Sequence, residues 1–181
     1  MSEEELLKGH AATVYNLALR LTGNAADAED LAQEALLKAL KALPSFRGEA
    51  QASTWLYRIT VNAWKNRVRA EKRRAFWKSV PLASLLMGGR DGEEDGAGDL
   101  KAADAPLDAG LEQEETSKAV QGALLELEEE SRAVVVLREI EGLSYEQIAQ
   151  TLGLPEGTVK SRLSRAREAL KAKLKAFAKA G

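Results

Sequence analysis

Cysteine is absent from the 181 residues, and histidine occurs once. Such a chain can build neither a disulfide framework nor a thiolate metal centre, which fits a reducing, cytoplasmic setting. His10 has no second histidine, cysteine or evident nucleophile as a sequence partner, and no Gly-x-x-x-x-Gly-Lys loop exists to cradle a nucleotide. The acidic cluster "GEEDGAGD" lacks the ordered carboxylate spacing of a calcium loop. No cofactor, no metal and no enzymatic activity are therefore expected. Apolar runs of about eighteen residues, the length that spans a bilayer, are also absent. So is a basic segment followed by an apolar one at the start, and neither secretion nor membrane spanning is expected.

Charge is present in plenty but unevenly spread. The formal net charge is −2. Between Lys41 and Lys78 ten Lys or Arg stand against two acids, and between Lys78 and Glu115 ten acids stand against three bases. From Pro155 onward eight bases face two acids. Two basic blocks separated by an acidic one suggest two polyanion-binding faces with a connector between them.

The apolar pattern is helical almost throughout, and 45% hydrophobic residues suffice for modest cores. A first helix is expected from Ser2, with Glu5 completing a capping box and Leu6, Leu7, Val14, Leu17, Ala18 and Leu21 buried. Gly23-Asn24 stops it. A second helix is expected from Ala25 to Leu43, ended by Pro44, with Leu31, Leu36, Leu40 and Leu43 as its apolar side. A loop over 44–53 precedes a third helix, from about Thr54 to Arg74 or beyond. Residues 87–110, rich in Gly, Asp and Glu, cannot bury enough surface to offset ordering entropy and read as flexible linker. The preceding "VPLASLLM" is apolar enough to dock somewhere, a partner included. Helices near 111–127 and 130–141 follow. The expected fold is all-α: an N-terminal helical domain over 1–78, an acidic Gly-rich tether over 79–110, and a C-terminal domain over 111–181.

The stretch "LSYEQIAQTLGLPEGTVKSRLSRAREAL" is the most specific local pattern. Ser144 caps a short amphipathic helix bearing Tyr145, Ile148, Ala149 and Leu152. Gly153 turns the chain, and Pro155 suits the first turn of a second helix. Val159, Leu163, Ala166, Leu170, Leu174 and Phe177 line one side of that helix. Lys160, Ser161, Arg162, Ser164, Arg165 and Arg167 occupy the other. Two helices joined by a short glycine turn, the second basic outside, form a helix-turn-helix pattern suited to a DNA groove; a solvated basic helix is the blander reading.

Two further helix faces carry chemistry. In "TWLYRITVNAWKNRVRAEKRR", Arg58, Asn62, Lys65, Asn66, Arg69 and Arg73 fall along one stripe. Cations suit phosphates, and carboxamides carry donor and acceptor together, as a base edge requires. Phe46, Trp55, Tyr57 and Trp64 offer stacking surfaces for unpaired bases, or else core. In "DAEDLAQEALLKAL", Asp30, Gln33, Glu34 and Lys38 share a polar side, either solvated or a docking surface for another protein's helices.

These segments together resemble the extracytoplasmic-function (ECF) branch of the sigma-70 family, which gives bacterial RNA polymerase its promoter specificity. The matching stretches are "DAEDLAQEALLKAL", "LPSFRGEAQASTWLYRITVNAWKNRVR" and "LREIEGLSYEQIAQTLGLPEGTVKSRLSRAREAL", in the family's order. The resemblance implies that Asp30, Gln33 and Glu34 dock on the clamp of the polymerase's largest subunit. It implies that Phe46, Asn62 and Asn66 hold a flipped base of the opened −10 element, with Arg58, Lys65 and Arg69 on its strand. Ser161, Ser164 and Arg165 match positions facing the −35 major groove, with Thr158, Lys160, Arg162 and Arg167 suited to phosphates. Core polymerase, promoter DNA and an anti-sigma factor are the partners implied. The family commonly has Pro where this chain has Glu128, so an altered helix junction is expected there. A stand-alone helix-turn-helix regulator is the alternative, although it leaves the Asn-bearing middle helix unexplained.

Overall fold

The computed structural model describes residues 2–48, 51–79 and 111–180, and every regular element among them is helical. The expected tether, Ser79 apart, lies outside these residues, as does "VPLASLLM". The elements are α1 (Glu3–Thr22), α2 (Ala25–Ala42), a 3-10 turn (Leu43–Ser45), α3 (Ala52–Ser79), α4 (Leu111–Leu125), α5 (Glu129–Val135), a π-helical turn (Val136–Ile140), α6 (Tyr145–Leu152) and α7 (Glu156–Ala180).

Local chemistry sets the ends. The Ser2 hydroxyl accepts from the Glu5 N–H at 3.1 Å while the Glu5 carboxylate accepts the Ser2 N–H at 2.6 Å, which closes the expected capping box. Asn24 caps α2 by accepting the Asp27 N–H at 2.9 Å. Gly23 lies between them at φ 84°. A Cβ added there would lie 2.5 Å from a methyl carbon of Leu125 in α4, so glycine serves both the turn and a close helix approach.

Several expectations change. The buried stripe of α2 is Ala28, Leu31, Ala32, Ala35 and Ala39. Leu36, Leu40 and Leu43 are only partly buried and Leu37 is 59% exposed, because alanines let α1 and α2 approach closely. Leu7, expected inside, is 39% exposed. The expected single helix over 130–141 is α5 followed by the π-helical turn, in which Glu141 N–H returns to the Val136 carbonyl. At the junction before α5, Glu128 takes a φ of −52°, close to what a proline ring would impose. The third helix also begins earlier than expected, at Ala52.

Helices α1–α3 pack on one another around Leu6, Val14, Leu17, Leu21, Leu31, Leu56 and Val61. Helices α4–α7 pack around Leu124, Val134, Leu137, Ile148, Val159 and Leu163. The two groups share one continuous core, with α3 against α6 and α1 against α4. Arg132 of α5 is the polar clasp at this seam. Its guanidinium donates to the carbonyls of Leu124 (2.9 Å), Leu125 (2.6 Å), Leu127 (3.2 Å) and Leu21 (2.8 Å) and lies over the Trp64 ring at 5.7 Å. It thereby satisfies terminal carbonyls of α1 and α4, groups a helix cannot satisfy itself. Burial pulls its pKa below the ordinary arginine value.

Candidate nucleic-acid and protein-binding surfaces

The helix-turn-helix forms as its residue spacing requires. Ser144 accepts the Gln147 N–H at 3.2 Å, and the Gln147 side chain accepts the Ser144 N–H at 2.8 Å, a second capping box. Gly153 takes φ 67°, the left-handed conformation that ends α6. Val159, Leu163 and Ala166 bury the inner face of α7, whereas Leu170 and Leu174 are only partly covered. The expected inner residue Phe177 has no described side chain.

On the outer face Lys160, Ser161, Ser164, Arg165 and Arg167 are exposed, and Thr158 and Arg162 are half-buried. Ser161 donates its hydroxyl to the Thr158 carbonyl at 3.1 Å, and Arg165 Nε reaches the Ser161 carbonyl at 3.3 Å. Lys160 pairs with Glu156 at 2.9 Å, one turn earlier. Two expected phosphate-binding groups are already engaged: Arg167 with Glu139, and Arg162 with Glu130. The sequence pattern could not show either partner, since both come from another helix.

The structure also adds two residues to this face. The Tyr145 ring lies between Arg138, at 4.8 Å, and Lys160, at 5.5 Å. Arg138 is held in place by the Leu143 carbonyl at 2.7 Å, and Arg167 lies near Tyr145. Four groups from three elements thus converge on one positively charged corner. The only signal in the sequence was the aromatic at the start of α6.

On α3, Arg58, Asn62, Asn66 and Arg69 are exposed at successive turns of one face. Lys65, expected with them, has a side chain only 16% exposed and faces Glu130 at 3.6 Å. Phe46 lies just after the 3-10 turn, half-buried, with its ring 4.7 Å from that of Trp55. Tyr57 and Trp64 cannot serve as base platforms here: they are 7% and 3% exposed. Burial, with the Glu141 carboxylate nearby, pushes the Tyr57 pKa upward.

On α2, Asp30 and Gln33 are exposed, with Leu37 one turn beyond Gln33. Glu34 is not a free docking carboxylate. It accepts from Lys38 at 2.6 Å and from Arg67 of α3 at 2.7 Å. The Lys38 ammonium, with Arg67 behind it, lowers its pKa.

Comparison with known proteins decides among the classes that could use such faces. Sigma-70 region 2 matches residues 6–74, and Sigma-70 region 4 matches residues 117–170. The chain is 40% identical to the RNA polymerase sigma-H factor of Pseudomonas aeruginosa over 158 residues, covering 87% of this chain and 78% of that one. This chain belongs to the ECF branch of the sigma-70 family. The ECF RNA polymerase sigma-E factor of Escherichia coli K12 is 42% identical over 144 residues, 80% of this chain and 72% of the relative. Among solved structures, the sigma factor RpoE of Bartonella quintana, in complex with the anti-sigma factor NepR, superposes with a TM-score of 0.73 at 28% identity. That match covers 95% of this chain and 96% of the Bartonella chain. As a sigma factor the protein directs promoter-specific transcription initiation. The region 2 match runs from α1 into α3, and the region 4 match runs from α4 into α7. Among the described residues no helix is long and apolar enough to cross a membrane.

Proposed function

We propose that this sigma factor works through three surfaces, two in a domain over 1–78 and one in a domain over 111–181, joined by a linker over 79–110. Asp30 and Gln33, with Glu34 behind them, dock on the clamp of core RNA polymerase. Asn62 and Asn66 receive an unstacked base of the −10 strand beside Phe46, while Arg58, Lys65 and Arg69 hold its phosphates. Ser161, Ser164 and Arg165 read the −35 duplex, and Thr158, Lys160, Arg162 and Arg167 bind its backbone. Tyr145 and Arg138 extend that backbone site.

The observation that carries this reading is the exposed carboxamide pair on α3, flanked by arginines one turn away on either side. Duplex-binding regulators need only the helix-turn-helix. A factor that captures opened DNA also needs donors and acceptors for a base edge beside cations for its strand. Unstacking a base costs a few kcal/mol, which such a pocket offsets. The factor is non-catalytic, acts in the cytoplasm and requires no cofactor. An anti-sigma factor is included among its partners because the Bartonella relative was captured with one.

The test is permanganate footprinting of a responsive promoter with core polymerase, together with transcription from a template carrying a pre-melted bubble. Wild-type protein is expected to open the duplex. A protein that binds promoter DNA alone, ignores core polymerase and opens nothing would instead be a stand-alone helix-turn-helix regulator.

A further inference from the structure

An acidic side chain stands inside the basic face of the helix-turn-helix region. Glu139, in the π-helical turn, pairs with Arg167 of α7. The side chains are 44% and 50% exposed respectively, so the pair lies at the surface rather than in the core. One carboxylate oxygen, Oε1, accepts the Arg167 Nε–H at 2.8 Å and also an N–H of Nη2. That contact occupies one edge of the guanidinium. The Nη1 and outer Nη2 N–H groups form the other edge, a pair of parallel donors that suits a phosphate.

The surroundings favour an anion at that outer edge. Arg138, the residue before Glu139, lies over the Tyr145 ring at 4.8 Å, and Lys160 lies over it at 5.5 Å. Lys160 and Arg167 stand seven residues apart, about two helical turns, and so share a side of α7. Arg138, Lys160 and Arg167 together outweigh Glu139 and Glu156, the latter paired with Lys160 at 2.9 Å. A free surface arginine gives up rotamer freedom when it grips a phosphate, whereas one already held by a carboxylate gives up less.

We propose that Glu139 is a positioning residue for −35 recognition: it fixes the inner edge of Arg167 so that the outer edge meets a backbone phosphate beside Tyr145. The proposal rests on the assignment of Arg167 to the −35 backbone. It makes an acid on a DNA-binding face a contributor to affinity, against the sign of its own charge.

The test uses the full chain bound to core polymerase, with affinity for a responsive promoter duplex measured across a salt series. Urea midpoints of the free variants are measured in parallel. Glu139→Gln removes a negative charge near the DNA, yet it is expected to weaken binding about two- to fourfold, the scale of a half-exposed ion pair. Its salt dependence should fall towards that of Arg167→Ala. Arg167→Ala itself should weaken binding about tenfold and lower the salt dependence by about one unit. Glu139→Asp keeps the charge but shortens the reach, and it too should weaken binding; it serves should Glu139→Gln fold poorly. Glu146→Gln, an equal charge change at an exposed position in the first turn of α6, should leave binding unchanged or slightly tighter. Once Arg167→Ala is present, adding Glu139→Gln should weaken binding no further.

Unchanged or tighter binding by the Glu139 variants, with Arg167→Ala still weakened, overturns the positioning role and leaves the assignment of Arg167 standing. A loss of affinity that follows a lowered urea midpoint at unchanged salt dependence also overturns it, since the pair then only ties the π-helical turn to α7. If Arg167→Ala binds like wild type, Arg167 is not on the backbone and both readings fail.

Discussion

The two basic helices of this protein make an instructive pair. Both α3 and α7 are long, both carry cations on one side, and both belong to regions that handle DNA. Yet α7 keeps Lys160, Ser161, Ser164 and Arg165 open to solvent, whereas α3 has Lys65 covered and Arg67 tied to Glu34. The cause is their position. Helix α3 packs against α1 and α2 on one side and meets α6 on another, while α7, packed on α4, α5 and α6, leaves these four side chains exposed. Charge along a helix states what it can bind; tertiary contacts decide which of those charges are available. Breaking the seam between the regions, and then each face in turn, tests that contrast.

The seam itself should respond most. Arg132→Ala removes four hydrogen bonds to carbonyls and leaves several of them beneath the α4–α5 junction without a partner. Charged hydrogen bonds contribute about 1.5–3 kcal/mol each, but not additively, and buried orphans add their own penalty. A loss of about 3 kcal/mol in urea unfolding is expected, with Arg132→Lys recovering only part because an ammonium cannot span four acceptors. A loss under about 0.5 kcal/mol, the size of an ordinary surface change, would mean that the seam holds without its clasp.

Next comes the open helix. Arg165→Ala is expected to cost about 1–3 kcal/mol at a cognate −35 duplex and to relax preference at one base pair. Lys160→Ala should weaken all duplexes alike and lower the salt dependence by about one unit. Fluorescence anisotropy across a salt series, on matched and mismatched duplexes, separates the two. If both variants alter preference identically, the division between base reader and backbone clamp on α7 is wrong.

The partly covered helix is probed through its exposed carboxamides. Asn62→Ala should leave core-polymerase binding and −35 duplex binding near wild type. It should reduce open complex by about tenfold, a loss of about 1.4 kcal/mol, within the range for a hydrogen-bonded group. Normal melting by this variant would move the base pocket elsewhere on region 2.

How much of this was visible in the amino-acid order differs by element. The helix-turn-helix was legible almost residue by residue, because Ser144, Gly153 and Pro155 are local signals whose physics acts within a few positions. The capping box at Ser2 and the boundary at Gly23 were legible for the same reason. The leucine side expected on α2 does pack on the core, Leu31 fully and Leu36, Leu40 and Leu43 partly, but the alanines that permit close helix packing and make up most of the buried stripe carry only a weak hydrophobic pattern. Of the aromatics that suit either a base platform or the core, Tyr57 and Trp64 are core, because apolar area draws most aromatics inward. The ion pairs of Glu130, Glu34 and Arg167 join residues about thirty positions apart, and nothing in helical periodicity encodes such partners. The candidate faces were therefore readable, and the occupancy of their charges was not.

The smallest expected effect concerns Glu34, where docking and internal roles meet. The ammonium of Lys38 and the guanidinium of Arg67 hold its pKa below the ordinary carboxylate value of 4.5. A depressed folded pKa means that the unfolded chain binds the proton more readily. The contribution of Glu34 to stability is then fully present above about pH 4.5–5, where both states are ionised, and is lost as pH falls through the folded value. The side chain is 32% exposed, so solvent screening keeps that contribution below about 1 kcal/mol. Glu34→Gln should lower stability slightly at neutral pH and flatten the acid limb of the stability curve. Glu34→Lys places a third cation beside Lys38 and Arg67, so it should destabilise further while also weakening co-elution with core polymerase. The two roles separate at neutral pH. If Glu34→Gln loses polymerase binding with no change in urea midpoint, the carboxylate itself contacts the partner. If stability alone falls, Glu34 serves to hold α2 against α3, and Asp30 with Gln33 make the contact.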